Sequence, residues 1–334
     1  MKYDVYGMGN ALVDMEFKVT PEFFIANNVE KGLMTLVEEH RQVELAQALA
    51  KDNILPASKQ CGGSAANTMI GISQFGGKSF YSCKVANDET GKFYLDDLRD
   101  NNVATKLADN TAPDGITGKC MVMVTPDADR TMNTFLGITA TYSEAELDLE
   151  ALKESKWLYV EGYLVASPTG QSAAVSAIDF ARKNNIKTAF TMSDPNMVKF
   201  FRDNINAIIG EGVDLLFCNE DEAMEFTGKK NIVEAREEMK KVAKTFVITL
   251  GKNGSIIWDG TTFLDIEPYN VNALDSNGAG DMFAGAFLYG ITNGHTYASS
   301  GILASQASSK VVSQFGPRLK NSQAKEIHAK VFGA

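Results

Sequence analysis

The sequence predicts an α/β protein built on a mostly parallel sheet that helices cover on both faces. From about Trp157 onward, short apolar segments alternate with longer stretches of helical periodicity. Strands separated by amphipathic helices are typical of βαβ units. The chain has 334 residues, of which 44% are hydrophobic and 22% charged. These values are ordinary for a globular protein with a sizeable core.

The second half contains the most regular elements. We predict strands at WLYVEG, KTAFTMS, VDLLFCN and TFVITL. We predict helices at QSAAVSAIDFARKNN, NMVKFFRDNINAIIG, EDEAMEF and IVEAREEMKKVA. Each helix lies between two strands, which is the order that a parallel sheet requires.

The first half is less regular. It opens with the strand YDVYGMG and contains the helix AANTMIGISQFG and the strand KSFYSCKVA. Two irregular sections interrupt it, one with the helix VEEHRQVELAQALA and one with the strand GKCMVMVTP followed by the polar turn DADRT. We predict that these sections form a small second layer. The predicted core covers approximately 1–10, 63–102 and 142–334, and the predicted small lid domain covers approximately 11–62 and 103–141.

Composition excludes several classes of partner and site. The formal charge of −10 argues against a nucleic acid or an anionic membrane surface as the main partner. The four cysteines are widely scattered and the three histidines are far apart, so the sequence indicates buried thiols in a reducing compartment and no histidine-rich metal site. The N-terminus carries acids where a signal peptide is apolar, and no window reaches the length of a membrane span. We expect a cytoplasmic protein.

The first of three glycine-rich loops resembles a dinucleotide-binding fingerprint but lacks a required residue. Gly7-Met-Gly9 follows the first predicted strand, and Leu12 stands where the third glycine would be. The residues that follow, VDMEFKV, alternate like a strand instead of opening a helix. This pattern disfavours a nicotinamide-dependent oxidoreductase.

The other two loops differ in what they allow. Gly77-Lys78-Ser79 resembles the end of a P-loop, but Ile72 occupies the position of the first glycine, and a helix precedes the loop instead of following it. The motif and its context therefore both argue against a true P-loop. The stretch CGGSAAN begins at Cys61 and precedes a helix. Its adjacent glycines allow close approach of a ligand, and a flexible N-terminal cap is an equally good interpretation.

The stretch DSNGAGD, from Asp275 to Asp281, precedes the apolar run MFAGAFLYGI. A helix that begins near Gly278 leaves its first N–H groups without intrahelical acceptors, and the helix dipole makes that end partly positive. Because residues 278–280 are small, an anion can lie directly on these N–H groups. Asp281 then lies in the first turn beside the anion.

A carboxylate beside an anion site suits phosphoryl transfer. The carboxylate can take a proton from an attacking hydroxyl while the N–H groups hold the charge of the transferred group. The alternative is that Asp281 only stabilises the first turn of the helix. That alternative leaves Gly278 and Gly280 unexplained, because glycine is costly in a helix.

DSNGAGD resembles the C-terminal signature of the ribokinase-like (PfkB) family of sugar and nucleoside kinases, in which the second residue is usually threonine. Five further segments resemble the family in the same order: GMGNALVD, GGSAAN, NEDE, TLGKNGS and ASQASSKVVSQFGP. The resemblance covers essentially the whole chain. It implies a ribokinase-like three-layer α/β/α core with a mostly parallel sheet and a small lid domain. It also implies that ATP is the co-substrate and that Mg²⁺ accompanies it.

The resemblance implies a role for each matching residue. The catalytic set is Asp281 as base, Gly278, Ala279 and Gly280 as the anion hole, and Arg130 as an arginine that the lid brings over the phosphates. The implied acceptor-binding set is Asn10, Asp14, Gly62, Gly63, Ser64, Asn67 and Tyr163. The implied ATP-binding set is Asn219, Glu222, Thr249, Gly251 and Gly254, in which Asn219 and Glu222 also organise Mg²⁺. Asp275 falls where some members bind a monovalent cation, so potassium stays an open alternative.

Two of these roles have plain structural alternatives. On sequence alone, Glu222 is an exposed acid that opens a helix, and Arg130 is a solvated arginine in a turn. Asp14 has a stronger chemical reason for its implied role, because one carboxylate can accept hydrogen bonds from two neighbouring hydroxyls.

The resemblance allows two kinds of acceptor. GMGNALVD is most similar to the adenosine kinases of the family, and Tyr163 could stack on a base, so we favour transfer to the 5′-OH of adenosine. SDPNMV, at 193–198, resembles fructokinases and 2-keto-3-deoxygluconate kinases instead. A sugar kinase therefore stays the alternative. Expected partners are a small nucleoside or sugar and ATP, and both monomer and homodimer stay open.

Overall fold

The structure is a computed structural model that describes residues 1–32, 34–107, 111–127 and 130–333. Its strands, in chain order, are β1 Tyr3–Met8, β2 Leu12–Lys18, β3 Met34–Leu36, β4 Ser58–Gly62, β5 Ser79–Ser82, β6 Thr117–Val124, β7 Arg130–Gly137, β8 Ser155–Glu161, β9 Lys187–Thr191, β10 Val213–Asn219, β11 Ala243–Thr249, β12 Ser255–Trp258 and β13 Phe263–Ile266. Its helices are α1 Pro21–Ala26, α2 Glu39–Lys51, α3 Ser64–Gln74, α4 Glu89–Asp100, α5 Leu149–Lys153, α6 Pro168–Lys183, α7 Pro195–Phe200, α8 Arg202–Ile209, α9 Glu220–Thr227, α10 Ile232–Met239, α11 Ala279–Thr292, α12 Tyr297–Val312 and α13 Asn321–Phe332.

The larger sheet has eight strands in the order β13-β12-β11-β10-β9-β8-β1-β5. The six neighbouring strands β5, β1, β8, β9, β10 and β11 pair in parallel. Strands β12 and β13 extend the sheet with antiparallel pairs. Successive residues of one strand contribute to two separate buried clusters, as Phe217 and Cys218 of β10 do. Helices α3, α11 and α12 contribute to one cluster, and α6, α8 and α10 to the other. The predicted three-layer α/β fold is confirmed.

Helices α3 and α11 pack closely on one face of this sheet. An added Cβ at Gly285 would lie 2.7 Å from the carbonyl oxygen of Thr68 and 3.3 Å from the Cα of Gly71. The two glycines therefore allow close approach of the two backbones. The contact matters for the site because α3 and α11 begin on the same side of the sheet.

The smaller sheet has five strands in the order β3-β7-β6-β2-β4. One face packs on α1 and α2 through a separate cluster that includes Phe17, Phe24, Leu45 and Met123. Side chains alternate between the two faces of a strand, so Leu12 and Asp14 point to the other face. That second face lines a cleft against the larger sheet.

Two sequence predictions were wrong in detail. The segment NMVKFFRDNINAIIG forms two helices, because Phe201 leaves the helical conformation with φ −126° and ψ 28°. The predicted helix IVEAREEMKKVA ends at Met239, and its last residue, Ala243, already begins β11. After Phe201 the chain continues as α8, whereas after Met239 it returns to the sheet as β11. Tertiary packing overrides helical propensity in both places.

Candidate active site

A cleft of about 740 Å³ lies between the two sheets. The larger sheet contributes residues at the carboxyl ends of its parallel strands, which is where ligands bind in open α/β sheets. The smaller sheet contributes the residues of β2, β3, β6 and β7 that point away from α1 and α2. The residues of the two sheets that line the cleft include Asn10, Glu161, Thr191, Asn219 and Thr249 on one side and Leu12, Asp14, Met34, Cys120, Arg130, Met132 and Leu136 on the other.

A second cavity of about 350 Å³ lies beside the cleft. Its lining includes Thr249, Gly251, Lys252 and Gly254 from the turn after β11 and residues from the helices α11 and α12. The two cavities share Thr249, Ser276, Gly280 and Phe283. They therefore meet at the beginning of α11, so that two ligands can approach each other there.

The beginning of α11 borders this junction, and the Ala279 N–H there approaches the carbonyl oxygen of Ser276 at 3.3 Å. Gly278 is the N-cap, with φ +71°, and an added Cβ there would lie 2.3 Å from Cβ of Pro317. At Gly280 an added Cβ meets no atom within 4 Å, so the backbone at this residue borders open space. The predicted helix start near Gly278 is confirmed, and Gly278, Ala279 and Gly280 stand where an anion can reach the positive end of α11.

Asp281 lies in the first turn of α11, and two residues of α3 hold its carboxylate. Ser64 Oγ donates to Oδ1 at 2.6 Å, and Asn67 Nδ2 approaches Oδ2 at 3.3 Å. Burial raises the pKa of Asp281 to about 6, and the hydrogen bonds from Ser64 and Asn67 oppose that rise. The carboxylate is therefore mostly ionised at neutral pH but has appreciable basicity.

Glu161 is a site residue that the sequence interpretation missed. It is 1% exposed at the end of β8, where it accepts hydrogen bonds from the backbone N–H of Asn10 at 3.2 Å and from that of Ala65 at 2.8 Å. Burial raises its pKa to about 7. An added Cβ at Gly9 would lie 2.4 Å from Glu161 Oε2, which explains that glycine. The only signal in the sequence was an acid at the end of an apolar strand.

The two glycines after Cys61 have separate structural reasons. An added Cβ at Gly62 would lie 2.3 Å from the Asp14 carboxylate. Gly63 has φ +94°, and an added Cβ there would lie 2.2 Å from the carbonyl oxygen of Asn10. Both glycines are therefore required by close approach, and Gly63 also by its backbone conformation.

Asp14 lines the cleft near Arg318 and Asp281. Among the residues that the structure describes, none donates a hydrogen bond to its carboxylate. Burial raises its pKa to about 7, the positive charge of Arg318 lowers the pKa, and the negative charge of Asp281 raises it. A carboxylate in this state can accept hydrogen bonds from hydroxyls of a ligand.

Arg130 is not solvated, because its guanidinium forms an ion pair with Asp275. The Arg130 side chain is 12% exposed and that of Asp275 is 1% exposed. Glu16 lies 3.7 Å from the same Nη2 atom. Asp275 also accepts hydrogen bonds from the N–H groups of Asn277 at 2.9 Å and Gly316 at 2.8 Å. A monovalent cation at Asp275 would have to displace this guanidinium.

Asn219 and Glu222 form a capping box at the start of α9. Glu222 accepts hydrogen bonds from the backbone N–H of Asn219 at 2.8 Å and from its Nδ2 at 2.9 Å. Glu222 is 4% exposed, so the sequence-based expectation of an exposed acid was wrong. Burial raises its pKa to about 7. Both residues line the cleft, as do Asp194 and Tyr163.

The oxygen atoms of Asn219 and Glu222 suit a hydrated Mg²⁺ that is held partly by phosphates of the substrate. Mg²⁺ usually keeps several waters and takes one or two carboxylates together with substrate phosphates. Asn219 and Glu222 already use much of their hydrogen-bonding capacity on each other, which suits contact through water. Within the described ranges, no three His, Cys, Asp or Glu side chains are grouped to hold a metal by themselves.

Comparison with known proteins shows the family. The model of the pfkB family of carbohydrate kinases matches residues 50–324, and the chain belongs to this family. It is therefore a kinase, a phosphotransferase that acts on hydroxyl groups. None of the helices in the described part of the chain has the length and hydropathy needed to cross a membrane.

Solved structures and curated relatives divide between two kinds of acceptor. A probable sugar kinase from Rhizobium etli is 30% identical, with a TM-score of 0.89 over 99% of both chains. An adenosine kinase from Sinorhizobium meliloti is 31% identical, with a TM-score of 0.88 over 99% of this chain and 100% of that chain. A 5-dehydro-2-deoxygluconokinase from Clostridium botulinum is 30% identical over 70% of this chain and 72% of its own length. An adenosine kinase from Dictyostelium discoideum is 28% identical over 73% of this chain and 76% of its own length.

Asp14 gives a stability prediction. The pKa of Asp14 rises from 3.8 to about 7 on folding. Its favourable contribution to the free energy of unfolding is therefore complete below pH 3.8, and it is lost as the pH rises through 7. Asp14→Asn should therefore raise the free energy of unfolding at pH 8 by about 1–3 kcal/mol, allowing for screening by water in the cleft. The difference should shrink toward zero near pH 4. Urea unfolding without substrates measures it at both pH values.

The control is Asp265→Asn, at an exposed position of β13. Its effect on the free energy of unfolding should stay within about 0.5 kcal/mol at both pH values. An Asp14→Asn protein less stable than the parent at pH 8 would contradict the assignment of Asp14 as a destabilising buried carboxylate.

Proposed function

We propose that the protein is an ATP-dependent kinase that phosphorylates a primary hydroxyl of a nucleoside, with the 5′-OH of adenosine as the favoured acceptor. The observation that carries this proposal is the position of Asp281. Its carboxylate lies in the first turn of α11, where the two cavities meet. One cavity then holds the acceptor and the other holds ATP.

In this proposal Asp281 is the general base. Its carboxylate takes the proton from the acceptor hydroxyl as that oxygen forms a bond to the γ-phosphorus. The bond from the γ-phosphorus to the β,γ-bridging oxygen breaks, and ADP leaves. Since the pKa of Asp281 is raised to about 6, the group is both ionised and basic at neutral pH.

Gly278, Ala279 and Gly280 form the proposed anion hole. Their N–H groups lie at the positive end of α11, where negative charge on the transferred phosphoryl group is stabilised. Thr249, Gly251 and Gly254 line the second cavity, which we assign to the nucleotide. Mg²⁺ near Asn219 and Glu222 would neutralise phosphate charge when bound.

Two features of the cleft favour a neutral nucleoside acceptor. The smaller sheet lines the cleft with Met34, Leu36, Met132 and Leu136, and Tyr163, just after β8, lines it as well. These side chains suit a nucleobase. Asp14, on the same face of that sheet, suits two neighbouring ribose hydroxyls.

The charges of the cleft support the same choice. Among its described lining residues, five carboxyl groups accompany one cation, Arg130, which is already paired with Asp275. The five are Asp14, Glu161, Asp194, Glu222 and Asp281. An acceptor that carries its own carboxylate would meet an unfavourable field there.

A sugar kinase is the second candidate. Two observations favour it: the 30% identity to a 5-dehydro-2-deoxygluconokinase, and the Asp194-Pro195-Asn196 run beside the cleft. Ser193 has φ +68°, a rare conformation for a non-glycine residue, and its hydroxyl accepts a hydrogen bond from the Gly162 N–H at 2.9 Å. This segment is therefore held in a defined conformation and could select the acceptor.

We further propose that the smaller sheet is a lid that closes over the acceptor and turns at Gly62-Gly63. Arg130 belongs to this sheet and would move toward the phosphates as the lid closes. Closure would exclude water, which otherwise competes for the phosphoryl group. The four cysteines, all buried and free of disulfides, support a cytoplasmic location for the enzyme.

The role of Asp281 can be tested by Asp281→Asn. Asparagine keeps the size of the side chain but cannot take the hydroxyl proton, so turnover should fall roughly 10²-fold or more. ATP binding and the unfolding midpoint should change little. Steady-state kinetics measures the loss, with Asp265→Asn as a control expected to keep normal turnover. Near-normal turnover in a folded Asp281→Asn protein would remove Asp281 from the reaction.

The acceptor can be identified by comparing kcat/KM across adenosine, 2′-deoxyadenosine, other nucleosides, ribose, fructose and 5-dehydro-2-deoxygluconate. If Asp14 binds two ribose hydroxyls, loss of one should cost about 1–3 kcal/mol, or roughly 5–150-fold in kcat/KM. Asp14→Ala should lose this preference together with most activity. A sugar used more efficiently than adenosine would establish the second candidate instead.

The lid can be tested at its hinge and in its strands. Gly63→Val should raise the KM for the acceptor and lower kcat, because its Cβ would meet the carbonyl of Asn10. Gly76→Val is the matched control, since Gly76 has a similar φ of +95° and open space around an added Cβ. Hydrogen exchange in β2, β6 and β7 should slow when acceptor is bound. Unchanged exchange there would argue against a lid.

A further inference from the structure

The segment Gly316-Pro317-Arg318, between α12 and α13, contacts the candidate active site along its whole length. The Gly316 N–H donates to Asp275 at 2.8 Å, and Pro317 packs against Gly278. Asp275 and Gly278 lie in the loop that leads into α11. The chain is held on either side, because Gln314 donates to the carbonyl of Arg318 at 2.8 Å and Gln74 donates to that of Leu319.

Arg318 extends from this segment toward α3, α4 and β4. Its side chain is 9% exposed, and Nη1 donates to Asp97 of α4 at 3.0 Å. Nη2 donates to the carbonyl oxygen of Cys61 and lies 2.9 Å from its Sγ. Asp97 in turn accepts a hydrogen bond from the Cys61 N–H at 2.6 Å. The pair thus holds both backbone groups of the residue before Gly62.

The Nε donor of Arg318 determines how Asn67 is oriented. Nε of Arg318 lies 3.2 Å from Asn67 Oδ1. A guanidinium only donates hydrogen bonds, so the oxygen of the Asn67 amide must face Arg318. The amide nitrogen then faces Asp281, from which it lies 3.3 Å. A reversed amide would place an oxygen against the Asp281 carboxylate, which is repulsive.

We propose that Arg318 is a positioning residue for phosphoryl transfer, acting through Asn67 on Asp281 and through Cys61 on the Gly62–Gly63 turn. This inference rests on the proposed role of Asp281. Arg318 does not line the cleft among the described residues, so it does not contact substrate in this proposal. Through Asn67 it holds the base Asp281, and through Cys61 it holds the Gly62–Gly63 turn beside Asp14.

Arg318 also acts on Asp14 through its charge. The charged groups that face Asp14 are Arg318 and Arg130, which lower its pKa, and Asp281, which raises it. Removing the charge of Arg318 should raise the pKa of Asp14. As the pH is lowered, Asp14 would then take up its proton, and acceptor binding would be lost, at a higher pH than in the parent. A purely structural arginine would not shift a pH profile in this way.

The test compares Arg318→Met, which removes charge and donors, with Arg318→Lys, which keeps the charge but not the planar set of donors. Arg318→Met should lower kcat about 10–100-fold, on the scale of a misplaced catalytic group, and leave the KM for ATP within about twofold. The acid limb of its kcat/KM profile for the acceptor should move up by about half a pH unit or more. Arg318→Lys should also lose kcat, but its acid limb should stay near that of the parent.

The matched control is Arg182→Met, far along the larger sheet. Arg182 donates to the carbonyls of Ile209 at 2.6 Å and Gly212 at 2.8 Å, so it links two elements without reaching the cleft. Its loss should lower the unfolding midpoint while leaving kcat and the pH profile unchanged.

A double-mutant cycle should show that Arg318→Met adds less than about threefold to the loss in kcat that Asn67→Ala produces alone.

The outcomes separate the two proposals. If Asp281→Asn is nearly as active as the parent, the proposed base fails, and this inference fails with it. If Asp281→Asn is inactive but both Arg318 variants keep normal kcat and pH profiles, only the positioning role is overturned. Fully additive effects of Arg318→Met and Asn67→Ala overturn it as well. Should Arg318→Met fail to fold, the loss of kcat in folded Arg318→Lys decides the matter.

Discussion

The arrangement of the site depends on the exposed beginning of α11. A helix start leaves N–H groups without intrahelical acceptors. Here no side chain caps them, the Ala279 N–H approaches the Ser276 carbonyl at 3.3 Å, and the helix start borders the junction of two cavities. Two surrounding parts of the structure hold this end in place. Helix α3 holds Asp281 through Ser64 and Asn67, and the segment around Pro317 supports Gly278.

The same arrangement places several carboxyl groups where burial disfavours their charge. The pKa values of Asp14, Glu161 and Glu222 are raised to about 7, and that of Asp281 to about 6. Glu161, Glu222 and Asp281 accept hydrogen bonds that offset part of this cost, whereas Asp14 relies on the nearby charges of Arg318 and Arg130. Perturbed pKa values of this kind concentrate at functional sites, where groups are held ready for a ligand at a cost in stability.

Members of the family share a reaction class but differ in their acceptors for a physical reason. Phosphoryl transfer depends on the positions of a few groups around the transferred phosphate. Acceptor choice depends on the shape and polarity of the cleft, to which several strands of the smaller sheet contribute. Relatives at about 30% identity therefore include both sugar kinases and adenosine kinases. In the function we propose, the apolar residues that line the cleft favour a nucleobase, and its excess of carboxyl groups disfavours an anionic acceptor.

The sequence by itself determined the α/β class, the order of most elements and the helix start at Gly278, because these follow from local periodicity and glycine placement. It also indicated Asp281, because the small residues of the proposed anion hole, Gly278 to Gly280, directly precede it in the chain. Only the tertiary structure decided that Glu222 is buried, that Arg130 pairs with Asp275 and that Glu161 holds Asn10 and Ala65. It alone brought Arg318 to Asn67, 251 positions apart in the chain. Such contacts join segments that are distant in sequence, and local pattern carries no information about which of them meet.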